Sequence, residues 1–160
     1  MVNRSPTQDD QTIHLNFDGL CEPKNPGGVA TYGFVIRSES RKLHEERGLA
    51  FAEPWTSEAS NNVAEYSGLI HGLEWLRANG MTNRKVIVIG DSKLVISQLN
   101  GTFKVKAPRL LSLFKRARDL LMEFDKIEIQ WLDRSLNAEA DLLSRIAYHQ
   151  FLKKSKARSR

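Results

Sequence analysis

Four acidic residues occur at the end of predicted strands or inside predicted helices. Asp18 falls at the end of an alternating apolar run just before Gly19, and Asp91 directly follows the apolar run KVIVIG. Glu65 lies inside a helical segment, and Asp141 lies one turn inside the last helical segment. Two carboxylates about 4 Å apart repel by roughly 4 kcal/mol at an effective dielectric constant of about 20. If the four converge, they need protonation or cations.

Glu65 is the acid that ordinary surface chemistry explains least well. The segment NNVAEYSGLIHGLEWL has helical periodicity, and at about 100° per residue Glu65 falls within its apolar stripe. The residues that share this stripe are Asn62, Leu69, Gly72, Leu73 and Leu76. Ser67, His71 and Glu74 fall on the opposite face, which we expect to be solvated. A carboxylate on the stripe that should be buried indicates a functional group.

The other three acids each have an ordinary structural explanation as well. Asp91 could cap the helix that follows it, and Asp141 could complement a helix dipole. Asp18 could be an aspartate that precedes a turn. These alternatives stay open on the residues alone.

The side chains available restrict the metal that such a cluster could hold. Carboxylate oxygens and water are the ligands that Mg²⁺ and Mn²⁺ prefer, whereas zinc sites prefer cysteine and histidine. No HxxxH or HExxH spacing occurs among the histidines, which are His14, His44, His71 and His149. The sequence therefore disfavours a zinc hydrolase.

Periodicity and turn residues predict the elements that would position these acids. TIHLNFDG, VATYGFVIR after the NPGG turn, and more weakly RKLHEERGLAF predict three neighbouring strands. Ser60 is expected to cap the long helix, and KVIVIG reads as a strand covered on both faces. Two helices follow, at 91–99 and 110–124, then the strand KIEIQWL and a last helix capped by Asn137. The order β-β-β-α-β-α-α-β-α predicts an α/β fold with helices packed over a mixed sheet.

Length and composition favour one soluble globular domain. The chain has 160 residues, 41% hydrophobic and 27% charged, and no apolar run long enough to cross a bilayer. Cys21 is the single cysteine and the N-terminus lacks the apolar core of a signal peptide, so we expect a cytoplasmic protein. We also expect a monomer with a flexible N-terminus over 1–10, one domain over 11–151 and a basic tail over 152–160.

The excess positive charge is concentrated at the C-terminus. The net charge is +5, from 24 basic and 19 acidic residues, and five basic residues without an acid lie between Lys153 and Arg160. The rest of the chain is therefore neutral. Such a run is typical of a solvated, disordered end, and the alternative is an electrostatic arm for a polyanion.

Four stretches around the acids resemble type 1 ribonuclease H, in the compact form without the long basic insertion. They are FDGLCEPKNPGG around Asp18, NNVAEYSGL around Glu65, VIGDSKLV around Asp91 and WLDRSLNAEADLLSRIA around Asp141. The resemblance runs from about Ile13 to Tyr148, and the order and spacing of the stretches make it specific. It implies the ribonuclease H-like fold, a five-stranded mixed β-sheet flanked by α-helices.

The resemblance implies a hydrolase that cuts the RNA strand of RNA/DNA hybrids and leaves 5′-phosphate and 3′-hydroxyl ends. It implies that the four acids are catalytic and bind two Mg²⁺ ions, for which Mn²⁺ substitutes. Asp18 and Asp91 would be the central ligands. Glu65 would serve the first ion near the RNA 2′-hydroxyl, and Asp141 would be the looser ligand of the second.

The resemblance also implies where the nucleic acid lies. The family's contacts to the minor groove and to phosphates map onto Asn25 and onto Ser60, Asn61 and Asn62, although turn and cap chemistry explains the same residues. Lys93 stands where many relatives have glutamine, and we expect it to reach a phosphate instead of a base edge.

Two features depart from the family's usual pattern. Many members carry a histidine in the loop before the last helix, where this chain has DRSLN, and Arg134 is a candidate for its role. Arg134 and Asn137 complete the substrate-binding candidates. The basic insertion after the Asp91 helix is missing, and the segment FKVKAPR or the C-terminal tail could hold the DNA strand instead.

Three alternative functions remain. The same fold and acids could cut double-stranded RNA, which shares the A-like geometry of a hybrid. A noncatalytic module that binds hybrids is disfavoured, because a binder has no reason to keep four repelling acids. The third is a fragment of a larger polymerase polyprotein, although Met1 and the length favour a standalone protein.

Overall fold

The computed structural model describes residues 11–39 and 41–158, and the predicted order of elements is confirmed there. The first half contains β1 (Ile13–Glu22), β2 (Val29–Ser38), β3 (Arg41–Leu49) and α1 (Asn61–Ala78). The second half contains β4 (Lys85–Gly90), α2 (Lys93–Leu99), α3 (Pro108–Leu121), β5 (Lys126–Trp131), a 3₁₀ turn (Arg134–Leu136) and α4 (Ala138–Arg158). The N-terminal segment that we expected to be flexible lies outside the described residues.

The strands form one mixed sheet in the order β3-β2-β1-β4-β5. β1 pairs antiparallel with β2, and β2 pairs antiparallel with β3. β4 pairs parallel with both β1 and β5, because α1 and then α2 and α3 return the chain to the same end of the sheet. The predicted five-stranded mixed sheet is therefore confirmed.

Helices cover both faces of this sheet. α1 packs on the face that carries Gly19, where an added Cβ would lie 2.4 Å from the backbone of α1. α4 packs on the other face, where a Cβ at Gly33 would lie 2.6 Å from the Leu143 Cβ. Because Asp18 is the cross-strand partner of Gly33, Asp18 also belongs to the α4 face. The two helices thus meet the sheet closely on either side of the first acid.

α1 is buried on both sides, so the expectation of a solvated face is wrong for Ser67. This side chain is fully buried, donates its hydroxyl to the Val63 carbonyl (2.7 Å) and accepts the Phe51 N–H (2.9 Å). His71 is stacked between Tyr32 and Phe51, with ring centroids 4.6 and 4.7 Å away. α3 packs along α1 and covers the rest of this side, which helical periodicity in α1 alone does not reveal.

α4 continues into the basic tail. It ends at Arg158, so the interpretation of the tail as disordered is wrong over residues 153–158. Lys156 and Arg158 lie in the last turn, where a cation interacts favourably with the helix dipole. The electrostatic arm stays a prediction. Within residues 11–39 and 41–158, every helix is too short or too polar to span a bilayer.

Candidate active site

Three of the predicted acids meet at one end of the sheet. Asp18 of β1, Glu65 of α1 and Asp91, which directly follows β4, each offer a carboxylate oxygen, and these atoms lie within 4.8 Å of one another. The predicted convergence is confirmed for these three.

Strand register and one glycine bring the three acids together. Asn16 of β1 is the parallel partner of Ile89 of β4, so Asp18 and Asp91, each two residues further on, reach the same edge. At Gly19 a Cβ would lie 2.4 Å from the Glu65 backbone nitrogen, so a side chain there would force α1 away. The absence of a side chain at position 19 therefore lets α1 carry Glu65 to the strand.

Asp91 does not cap α2. Ser92 is the N-cap, and its hydroxyl accepts the Val95 N–H at 3.2 Å. The Asp91 carboxylate instead accepts an N–H from the Asn137 side chain at 3.1 Å. Partial burial raises the pKa of Asp91, although the Asn137 hydrogen bond and the nearby Arg134 charge oppose this effect.

Asn137 is a buried residue that joins three parts of the chain. Its amide group donates to the Phe17 carbonyl (2.8 Å) and to Asp91, and its carbonyl oxygen accepts from the Asn16 amide (3.1 Å). Only 2% of Asn137 is exposed, and its role in binding substrate stays a prediction. Its backbone carbonyl accepts the Asp141 N–H at 3.2 Å, which begins the hydrogen bonding of α4. The geometry makes Asn137 a positioning residue for Asp91.

Burial and mutual repulsion make ionisation of the clustered acids unfavourable. Burial and then the Asp91 charge raise the pKa of Asp18 from 3.8 to about 7. Burial and then the Asp18 charge raise the pKa of Glu65 well above its ordinary value. The Glu65 Oε2 atom is buried, and no hydrogen bond reaches it within the part of the chain described. Ionised carboxylates here therefore require an added positive charge.

Asp141 lies beside the three acids but outside their group. Arg145 donates to its carboxylate at 3.1 Å, and Arg134 lies 3.7 Å from its other oxygen. The Asp141 charge contributes to the raised pKa of both Asp18 and Asp91, so it acts on the site electrostatically. A role for Asp141 as a metal ligand stays a prediction.

The donor set fits a hard divalent cation. The three clustered acids supply only oxygen ligands, which Mg²⁺ and Mn²⁺ prefer. The unpartnered Glu65 oxygen is a ligand atom that the protein itself leaves unsatisfied. Asp18, Glu65 and Asp91 are therefore the residues that would hold such an ion.

A cleft of about 510 Å³ opens over these acids and contains four of the predicted substrate-binding residues. They are Asn25, Asn61, Asn62 and Arg134. Asn25 also accepts the Asn61 backbone N–H at 3.0 Å, so the NPGG turn is fastened to the start of α1. Arg145 lines the cleft as well and was missed from the sequence. Its spacing of four residues from Asp141 on one helix was the available signal.

The other predicted contacts lie outside the cleft lining. Ser60 caps α1 by accepting the Val63 N–H at 3.2 Å, which is its ordinary structural role. Lys93 is exposed, with its ammonium 4.8 Å from the centre of the Trp131 ring. In the segment FKVKAPR, Arg109 pairs with Glu58 and donates to the Phe51 carbonyl. Arg109 therefore fastens the loop before α1.

Comparisons with known proteins indicate the family of the chain. A family model described as reverse transcriptase-like matches residues 16–147. The chain is 40% identical over 120 residues to the bifunctional protein Rv2228c of Mycobacterium tuberculosis, covering 75% of this chain and 31% of that protein. The chain thus spans about a third of that relative's length.

Two further relatives cover more of their own length. Ribonuclease HI of Halobacterium salinarum is 36% identical over 132 residues, which are 82% of this chain and 62% of that protein. The crystal structure of LC11-RNase H1 in complex with an RNA/DNA hybrid has a TM-score of 0.77 and 34% identity. That match covers 88% of this chain and 99% of the other.

Proposed function

The chain belongs to the type 1 ribonuclease H family, and we propose that it hydrolyses the RNA strand of RNA/DNA hybrids as a divalent-metal-dependent endonuclease. The observation that carries this proposal is the group formed by Asp18, Glu65 and Asp91 beneath an open polar cleft. The hybrid bound to LC11-RNase H1, whose chain is matched almost completely, supports a hybrid as the substrate.

The protein contributes to the reaction by orienting the carboxylates that would bind cations. The Gly19 N–H donates to Asp18 at 2.8 Å, and Asn137 holds Asp91, so both acids are oriented before any ion arrives. When bound, two Mg²⁺ ions, or Mn²⁺ in their place, would make an attacking water more nucleophilic and stabilise the departing 3′ oxygen, leaving 5′-phosphate and 3′-hydroxyl ends. Asp18, Glu65 and Asp91 would hold these ions, with Asp141 as a further ligand.

The polar rim of the cleft suits a nucleic-acid backbone. Asn25, Asn61 and Asn62 offer amide groups beside the acids, and Arg134 and Arg145 add positive charge. Short amide side chains can bond to a 2′-hydroxyl, which is the group that distinguishes RNA from DNA. The arginines can pair with phosphates, which position the duplex without reading its sequence.

The test compares two aspartates of the same chain. The protein is incubated with an end-labelled RNA/DNA hybrid and with matching double-stranded RNA, in Mg²⁺, in Mn²⁺ and in chelator. Asp91→Asn removes a clustered acid, and Asp119→Asn makes the same chemical change on the exposed face of α3. We expect metal-dependent cutting of the hybrid's RNA strand that is lost in Asp91→Asn and retained in Asp119→Asn.

Each other outcome replaces the proposal with a definite alternative. Faster cutting of double-stranded RNA than of the hybrid would make that duplex the main substrate. Tight binding to the hybrid without cutting under either metal would leave a noncatalytic binding module. Cutting that survives Asp91→Asn would show that the three clustered acids are not the catalytic group.

A further inference from the structure

Trp131 is an exposed aromatic residue beside Asp91. The cluster of acids does not account for its position. Trp131 is the last residue of β5 and pairs with Gly90, the residue before Asp91. Its indole N–H donates to the Asp91 backbone carbonyl at 2.9 Å. Nevertheless 40% of this large apolar side chain remains exposed, so it is poorly used as core packing.

The Lys93 side chain lies over the exposed Trp131 ring. The Lys93 ammonium lies 4.8 Å from the centre of the Trp131 ring, which is within cation–π distance. Lys93 is the first residue of α2, where a positive charge is unfavourable because the helix dipole is also positive there. Helix stability therefore does not account for a lysine at this position.

The acids around Lys93 do not neutralise it by direct contact. Hydrogen bonds from Ser135, and to a smaller extent the Lys93 charge, lower the pKa of Asp133, so this carboxylate is near enough to interact with Lys93. Among residues 11–39 and 41–158, no ion pair within 4.0 Å holds the Lys93 ammonium, which lies over the Trp131 ring. Lys93 therefore keeps its hydrogen-bond donors available for an anion.

We propose that Trp131 is a positioning residue that holds the Lys93 ammonium next to Asp91, where Lys93 contacts a backbone phosphate of the bound duplex. This inference rests on the proposed function and names a contact that the cleft itself lacks, since Lys93 lies outside the cleft lining. The ring restricts a long and flexible side chain before the duplex arrives, so less conformational freedom is lost on binding. The indole hydrogen bond fixes the ring relative to the acid.

The chain contains a matched control for this pair. The Arg118 guanidinium lies 5.7 Å from the centre of the Phe114 ring on α3. Arg118 is exposed and does not line the cleft. Arg118→Ala therefore removes one positive charge from an aromatic ring at a place where we expect no duplex.

A double-mutant cycle tests the proposal on the full-length chain. KM, kcat and the salt dependence of hybrid binding are measured for Lys93→Ala, Trp131→Leu and the double variant, with binding measured in chelator. We expect Lys93→Ala to reduce the slope of log affinity against log salt by about 0.9, the value for one lost phosphate contact, and to raise KM without lowering kcat. Trp131→Leu should raise KM about two- to fivefold, as the loss of an exposed cation–π contact predicts.

Positioning by Trp131 predicts that the effect of Lys93→Ala depends on the residue at position 131. In the Trp131→Leu background, Lys93→Ala should have little further effect on the salt slope. Trp131→Phe keeps an aromatic face but lacks the indole N–H, so it should preserve most of the effect of Lys93. Arg118→Ala should leave both KM and the slope unchanged. If circular dichroism shows that Trp131→Leu is unfolded, the strand former threonine replaces leucine in the cycle.

Two results would overturn the proposal. A Lys93→Ala variant with the wild-type salt slope would refute the phosphate contact. An equal effect of Lys93→Ala in the wild type and in the Trp131→Leu background would refute positioning by Trp131. Both results are distinct from failure of the proposed function, which would appear as a wild-type protein that does not cut the hybrid.

Discussion

Glu65 and Glu74 lie on the same helix, yet their surroundings differ completely. The Glu65 carboxylate is buried among acids, and its Oε2 atom has no hydrogen-bond partner in the described chain. Glu74, at the other end of α1, is half-buried and forms an ion pair with Arg116 of α3. A second pair between Arg77 and Glu123 lies close by. Charges are balanced at one end of the helix and concentrated at the other.

Cavity size alone would point to the wrong end. The groove beside Glu74, between α1 and α3, has a volume of about 690 Å³, and the cleft over Glu65 has about 510 Å³. The groove is lined by equal numbers of acidic and basic side chains, which satisfy each other or the solvent. Uncompensated, buried charge distinguishes a functional site from a surface depression.

Glu65→Gln against Glu74→Gln is the strongest test of this contrast. We expect Glu65→Gln to lower the rate of hybrid cleavage by about a thousandfold, because it removes a ligand atom for a metal ion that contributes several kcal/mol of transition-state stabilisation. Glu74→Gln should leave the rate unchanged and lower the free energy of unfolding by about 0.2–1 kcal/mol, as is typical of ion pairs at the protein surface. Single-turnover cleavage and urea unfolding measure the two effects. Equal losses of activity in the two variants would contradict the proposed difference between the two ends of α1.

The stability of the acidic end should depend on pH in the absence of divalent cations. The pKa of Asp18 is raised from 3.8 to about 7, so the folded state binds this proton more tightly than the unfolded state does. Its contribution is fully present below about pH 4 and is lost as the pH rises through about 7. The shift corresponds to about 4 kcal/mol between the protonation states.

Denaturant unfolding in chelator from pH 4 to pH 8 measures this effect. We expect the wild type to lose stability relative to Asp18→Asn as the pH rises, and saturating Mg²⁺ to restore it, because the ion binds the folded state. Asp119→Asn on α3 serves as the control and should follow the wild type. Parallel pH profiles for the wild type and Asp18→Asn would contradict the raised pKa.

A smaller effect is expected from the residue that supports the acids. Asn137→Ala removes the N–H that holds Asp91, and a loss of about 10- to 100-fold in kcat is typical when such a supporting residue is changed. Asn62→Ala, in the cleft, should mainly raise KM. Steady-state kinetics on the hybrid separate the two. An Asn137→Ala variant with raised KM and normal kcat would instead support the sequence-based role in substrate binding.

The fold was largely predictable because its signals are local. Alternation in TIHLNFDG and helical spacing in α1 are patterns within a few residues, and they position Asp18 and Glu65 without knowledge of the rest of the chain. The role of Asn137 could not be predicted in this way. Its partners Asn16, Phe17 and Asp91 lie between 46 and 121 residues away along the chain.

The sequence by itself determined the order of the elements, the oxygen-only ligands of the site and the presence of Glu65 on the apolar stripe of α1. The tertiary structure decided which of the predicted acids lie in one group and which are paired with arginines. Asp91 joins Asp18 and Glu65, whereas Asp141 is paired with Arg145 and Glu74 with Arg116. The physical reason is that residue type and spacing set local conformation, while a charge responds to distance through space and to burial, which exist only once the chain has folded.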